Sequence, residues 1–245
     1  MPNWVFNSLV VSGDSVSLDK MREQLNQPIT KHFTDHKWNE ETKTLEEFPS
    51  QQVYSNPVFA FWNVIAPTNL DAYYGNETEK VSLDNFKEDF DNALAKDESW
   101  YWWNVRNWGT KWDVAVSDDN QYPDTTLEVT EEGALMYHFN TAWSPVEEVI
   151  SRLSEMYPSL DFDYEFEEEQ GWGGSIMFRN GEVIEASSYD IPASHADFKS
   201  HPFRECNCET DSDPAWWYSD CPVDTEKYEW DEVSSEWVEK EGAEA

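Results

Sequence analysis

Apolar positions recur with strand and helix periods along much of the chain, and the punctuation between them sets the element order. Trp4 to Val11 is rich in β-branched and aromatic residues and is broken by Ser12-Gly13-Asp14, which predicts a strand and a turn. A helix is expected from about Val16 to Leu25, because Leu18, Met21 and Leu25 fall on one face, with Pro28 as its stop. Residues 29–57 carry only scattered rings and leucines without a steady period, so they read as an irregular insertion. The run Val58 to Ile65, closed by Pro67, fits either a strand or a buried extended segment.

Ser82 caps an expected helix through Leu94, with Leu83, Phe86, Phe90 and Ala93 on one face, and Trp100 to Asn107 reads as a strand on its aromatic content. After Leu127-Glu128-Val129, the segment Ala134 to Trp143 gives the clearest strand, since Leu135, Tyr137 and Phe139 alternate with polar neighbours. Ser144-Pro145-Val146-Glu147 reads as a capping box opening a helix to Tyr157. Leu160 to Glu167 alternates again, setting Phe162, Tyr164 and Phe166 against a row of acids, and Asn180-Gly181 joins two further strands as a type I′ hairpin.

Composition adds a charge gradient to this α+β pattern. The 245 residues hold 51 acids and 16 bases, a net charge of −35. By blocks of fifty the net charge runs −3, −6, −7 and −8, and the last 45 residues carry −11. Such a field repels nucleic acid and anionic membranes and attracts basic surfaces, so direct nucleic-acid binding is not expected. Aromatics reach 16 % with 14 Trp, enough apolar surface to build a core. Neither a basic leader nor a long apolar run is evident, and the odd set Cys206, Cys208 and Cys221 argues against a disulfide framework. The expectation is a cytoplasmic protein with reduced thiols.

Four stretches together resemble a known family: Met1-Pro2-Asn3-Trp4 with Val10-Val11-Ser12-Gly13; Phe61-Trp62-Asn63-Val64-Ile65-Ala66-Pro67; Trp108-Gly109-Thr110-Lys111-Trp112-Asp113; and Phe139-Asn140-Thr141-Ala142-Trp143-Ser144-Pro145. They look like the Api92-like, or YubB ferredoxin-like, proteins of phages, plasmids and bacteria. The resemblance covers roughly residues 1–186 and implies a ferredoxin-like βαββαβ antiparallel sheet with two packed helices and no iron–sulfur cluster. On that reading residues 1–190 form the domain, with a long helical insertion at about 27–100, and residues 191–245 are an irregular, acidic, ring-rich extension. No activity comes with the family.

Candidate chemistry is sparse. Cys206, Cys208, Cys221 and His201 offer zinc-type donors, but Cys-x-Cys is not the usual ligand spacing, and ordinary thiols are the plainer reading. Acidic neighbours disfavour a reactive thiolate there. No cofactor is expected. Asp161, Asp163, Glu165, Glu167, Glu168 and Glu169 read as a solvated acidic surface. Lys111 is a lone cation among rings, placed to pair with Asp113, to stack on an indole, or to meet an anion. Trp108, Lys111, Trp112, Asp113 and Trp143 are therefore the candidate ligand- or partner-binding residues.

These features favour a non-enzymatic, acidic interaction protein of a phage or mobile element. Its partner would be a basic protein surface, for instance on a host nucleic-acid-binding or defence protein that it inhibits by mimicking nucleic acid. Two alternatives stand beside it: a domain that takes a nucleotide-like ligand in a cleft lined by Trp62, Trp103, Trp108, Trp112 and Trp143, and a metal-dependent enzyme. Charge that serves only solubility is the bland counterpart of mimicry.

Overall fold

The computed structural model describes residues 3–74, 98–117, 124–169, 171–190, 228–231 and 236–240. Residues 1–168 with 174–187 make one compact unit, and residues 169–173 with 188–245 make another. In the first, β1 (Trp4–Ser12) leads to α1 (Ser15–Leu25), a hairpin of β2 (Ile29–Asn39) and β3 (Thr44–Tyr54), a 3-10 turn (Phe61–Asn63), and two helices, α2 (Leu70–Tyr74) and α3 (Trp100–Trp108). Then come β4 (Thr126–Val129), β5 (Leu135–Ala142), α4 (Glu147–Met156), β6 (Asp161–Glu168), β7 (Trp172–Arg179) and β8 (Glu182–Asp190). In the second unit β9 (Tyr228–Asp231) pairs antiparallel with β10 (Glu236–Glu239), so the expected irregular extension contains a hairpin.

The main sheet has the order β4-β5-β1-β6-β7-β8. Its first four strands with α1 and α4 are a ferredoxin-like βαββαβ unit. β1 is central and antiparallel to both neighbours, with Leu9 opposite Tyr137 on one side and Tyr164 on the other. One face buries Val5, Leu9, Tyr137, Phe139, Phe162 and Tyr164 with Leu18, Met21 and Leu25 of α1 and Val149, Ile150 and Leu153 of α4. The period of two in the strands and the i, i+3, i+4 spacing in the helices make these residues meet. The β7–β8 hairpin forms on its Asn-Gly signal: Asn180 and Gly181 have φ of 51° and 79°, both in the left-handed region that a type I′ turn requires.

A buried polar network crosses the core layer. The Tyr164 hydroxyl donates to Asn7 Oδ1 at 2.5 Å and accepts from the Val146 amide at 2.9 Å, while Asn7 Nδ2 donates to Val5 O, Phe139 O and Thr141 Oγ1. Burial pushes the Tyr164 phenol up, so it stays protonated and able to donate. It also replaces the expected capping box. Val146 rather than Ser144 is the N-cap of α4, without a side-chain cap, and the hydroxyl of β6 takes one of its free amides. Tyr164→Phe leaves both Asn7 and the Val146 amide without this partner in a dry site. A loss of about 1–3 kcal/mol is expected in urea unfolding.

Three segments differ from the sequence pattern. Residues 29–54, expected to be irregular, form the long β2–β3 hairpin, whose strands pair only with each other among the described residues. Because both faces are largely exposed, the hairpin shows no inside–outside alternation to read. Trp100 to Trp108 is a helix, not a strand: Ser99 precedes it, Gly109 ends it at φ 78°, and Trp103 and Trp108 turn inward. Val58 to Ile65 is buried at Phe59 to Phe61, half-buried elsewhere, and closes into the 3-10 turn. The helix expected at 82–94 lies outside the described residues. No helix among those described is long and apolar enough to cross a membrane.

Candidate functional site

The segments that carry the family resemblance interlock at one end of the sheet, where Trp4 of β1 faces Ala142 of β5. In Trp108-Gly109-Thr110-Lys111-Trp112-Asp113 each residue has a separate task. Trp108 is fully buried, and its indole N–H donates to Ile65 O at 2.9 Å. Gly109 supplies the left-handed turn, and a Cβ there would lie 3.1 Å from Pro145 O. The Thr110 hydroxyl donates to Ala142 O and accepts from the Ala142 amide, clamping the loop to the end of β5. Asn104 Nδ2 holds Lys111 O at 2.8 Å from the helix side.

Asp113 is the hub. Its buried carboxylate accepts from the amides of Phe61, Trp62 and Ala115 and from Lys31 Nζ at 3.0 Å. Lys31 lies also over the rings of Tyr54 and Trp108, so one acid ties the root of the β2–β3 hairpin to the 3-10 turn and the α3 loop. Asn63 completes the junction by donating to Leu25 O and Gln27 O at the end of α1.

These clamps hold a surface of rings. Trp112 stacks on Trp143 with centroids 6.3 Å apart at 21°, and on its other flank stands 6.2 Å from Trp4. Trp112 and Trp143 are 40 % and 44 % exposed, although solvent contact on this scale is costly for an indole. Trp143 also has φ of 68°, an uncommon conformation for a bulky residue, and its amide is fixed to Asn3 O at 2.9 Å. Lys111 Nζ stands 4.4 Å from the Trp112 ring, 5.7 Å from Tyr101 and from Trp143, and 6.0 Å from Trp100. Of the placements open to Lys111, the structure shows the ring-stacked one. Asp113 pairs with Lys31 instead.

Between this surface and the hairpin lies a cleft of about 1070 Å3. Trp4, Trp100 and Trp112 form one bank, and Phe33, Phe48 and Tyr54 stand on the other. Its floor includes Asp113, Asn104 and Tyr73, whose hydroxyl donates to Asn104 Oδ1. On its walls Lys31 is paired with Asp113, and the His36 imidazole stands 3.5 Å from Glu47. Trp112 and Asp113 thus line the cleft and Lys111 and Trp143 adjoin it, while Trp108 belongs to the core beneath. Trp62 and Trp103 pack against or within that core rather than lining the cleft. Neither Trp4 nor Trp100 is among the candidate site residues of the sequence: Trp4 stands there as the start of a strand and part of the family resemblance, and Trp100 as part of a strand where the structure has a helix.

The acidic candidates separate. Asp163, Glu165 and Glu167 share the face of β6 opposite the core. Asp161 is paired with Arg179, whose guanidinium holds its carboxyl below the usual range, whereas burial and then the Asp161 charge push Asp163 up. Glu168 is only 3 % exposed and points to the other side of the strand, so it is not part of the acidic face. Glu169 falls in the second compact unit. Among the described residues no group of three His, Cys, Asp or Glu side chains is placed to hold a metal. Cys206, Cys208, Cys221 and His201 lie outside the described residues.

Residues 111–200 match the family model of the ferredoxin-like domain in Api92-like protein. A solved structure of protein api92 from Yersinia pseudotuberculosis aligns at 10 % identity with a TM-score of 0.43, covering 78 % of this chain and 99 % of that one. No curated protein matches the sequence.

Proposed function

For this chain, which resembles Api92-like proteins in sequence and carries their ferredoxin-like domain, we propose a non-catalytic binding function in which the cleft seats a basic segment of a partner protein. The observation that carries this reading is the bank of exposed indoles beside the cleft, in a chain of net charge −35. The cleft slightly exceeds the roughly 300–1,000 Å3 of a small-molecule pocket, and its size suits a stretch of polypeptide. Its lysines are already engaged by a carboxylate or by rings, so little inside rewards a phosphate, and the surrounding field repels one. A nucleotide is therefore the poorer occupant. The side chains of lysine and arginine gain both from the field and from aromatic faces.

A host protein whose own nucleic-acid site is basic is a partner of this kind. Mimicry of nucleic acid is a second reading, motivated by Asp163, Glu165 and Glu167 in a row. Their two-residue spacing, about 7 Å, gives about a quarter of the charge density of duplex DNA. That ratio favours the cleft over the acidic face as the recognition element.

The test is a titration of fluorescently labelled fifteen-residue peptides, one lysine- and arginine-rich and one acidic, followed by anisotropy in 0.1 M and 1 M salt. The basic peptide is expected to bind, and to weaken steeply as the screening length falls from about 10 Å to about 3 Å. Trp112→Ala is expected to cost about thirtyfold or more in affinity. Equal binding of the acidic peptide, or affinity that ignores salt, rules the reading out.

A further inference from the structure

The surroundings of Lys111 are unusual for this composition. In a chain with 51 acids and 16 bases, its ammonium has no ion pair among the described residues and is met by four ring faces instead. Helix α3 brings Trp100 and Tyr101, the clamped loop brings Trp112, and the end of β5 brings Trp143. Trp100, Trp112 and Trp143 are each 40 % exposed or more, so the cluster opens to solvent. A ring set of this kind is an ammonium receptor by its electrostatics, because every face presents the negative side of its quadrupole.

We infer that the Trp100–Tyr101–Trp112–Trp143 cluster is a recognition site for a quaternary alkylammonium, such as a trimethylated lysine, with Lys111 as its resident stand-in. The inference rests on the proposed binding of a basic segment and names the side chain that the segment presents. Selectivity follows from competition with Lys111. An unmodified lysine offers the rings what they already hold, and the tethered occupant wins by its effective concentration. A primary ammonium is also strongly hydrated, so moving it onto the rings gains less than moving a quaternary one does. A trimethylated ammonium keeps its charge, has no N–H to hydrate, and presents methyl groups to the indoles. Lys111, once displaced, enters the field of a strongly negative surface, where a cation is well accommodated.

The experiment uses the full chain and three probes: a lysine-rich fifteen-residue peptide with its central lysine unmodified, the same peptide with that lysine trimethylated, and free choline. The wild type is expected to prefer the trimethylated peptide about tenfold over the unmodified one. Lys111→Gln empties the cluster and is expected to strengthen trimethyl-lysine binding further. Trp143→Ala, with its fold checked by near-ultraviolet circular dichroism, brings the ratio toward one. Equal affinity for both peptides in the wild type and in Lys111→Gln overturns the inference, and tight binding of both then leaves the basic-segment reading intact. Choline binding as tight as that of the trimethylated peptide keeps the ammonium chemistry but assigns it to a free small cation, and so removes the partner segment.

Discussion

Asp113→Ala is expected to destabilise the folded chain by about 3–5 kcal/mol, measured by urea or thermal unfolding. The carboxylate is buried, and its removal strands the Lys31 ammonium beside the rings of Tyr54 and Trp108 and leaves the amides of Phe61, Trp62 and Ala115 without their acceptor. Stranding a half-buried cation together with three amides that lose a buried acceptor costs more than a broken surface pair, which is worth about 0–1 kcal/mol. Asp113→Asn keeps one acceptor oxygen for the amides of Phe61 and Ala115 and loses the charge and the acceptor that met Trp62 and Lys31, so a smaller drop is expected. Equal losses in the two variants would mean that the retained acceptor for the Phe61 and Ala115 amides contributes nothing and that the carboxylate's negative charge carries the whole effect.

Trp108→Ala is expected to cost about 3–5 kcal/mol for a different reason. The indole has no exposed surface, packs edge-on to Phe61 and Trp103, and holds Ile65 O through its N–H. Deleting it opens a large cavity and leaves a carbonyl without its donor. Trp108→Phe refills part of the volume without restoring the hydrogen bond, and so falls between the wild type and Ala. A cost below about 1 kcal/mol for the Ala variant would show that the core collapses around the site and that Trp108 does not anchor the loop.

The ferredoxin-like unit was legible because its elements alternate with clean periods. Leu9, Tyr137, Phe162 and Tyr164 each sit at a position whose neighbours are polar or half-exposed, and Leu18, Met21 and Leu25 mark one helical stripe. The β2–β3 hairpin was not legible, since a hairpin exposed on both faces imposes no hydrophobic period, and its turn at 40–43 lacks the usual Asn-Gly signal. Trp100 to Trp108 misled because rings favour strands on average, while Gly109 and the inward Trp103 and Trp108 decide the local outcome. For the site, the sequence marks Lys111 as a lone lysine among the rings of its own stretch, and the structure sets it against Trp112 and, from a separate stretch, Trp143. Partners distant in sequence were invisible: nothing in the local pattern links Lys31 to Asp113 across 82 positions, or Trp4 to Trp112. Glu168 shows the converse, an acid that a simple row of carboxylates would put in water and that the strand parity turns inward.

The two banks of the cleft differ in cohesion. The indole bank is rooted in the core through Trp108, Thr110 and Asp113, whereas the opposite bank is a hairpin whose strands pair only with each other among the described residues and whose root is pinned by Lys31, Ile29 and Gln52. Local opening draws on regions with few buried apolar contacts, so the hairpin is the compliant jaw and the indole bank the fixed one. Part of any binding free energy is then absorbed in ordering that jaw, and affinity falls below what the enclosed area alone implies. For the proposed basic segment, chemistry would then be set by the rigid bank, and strength by how firmly the hairpin is tethered at its root.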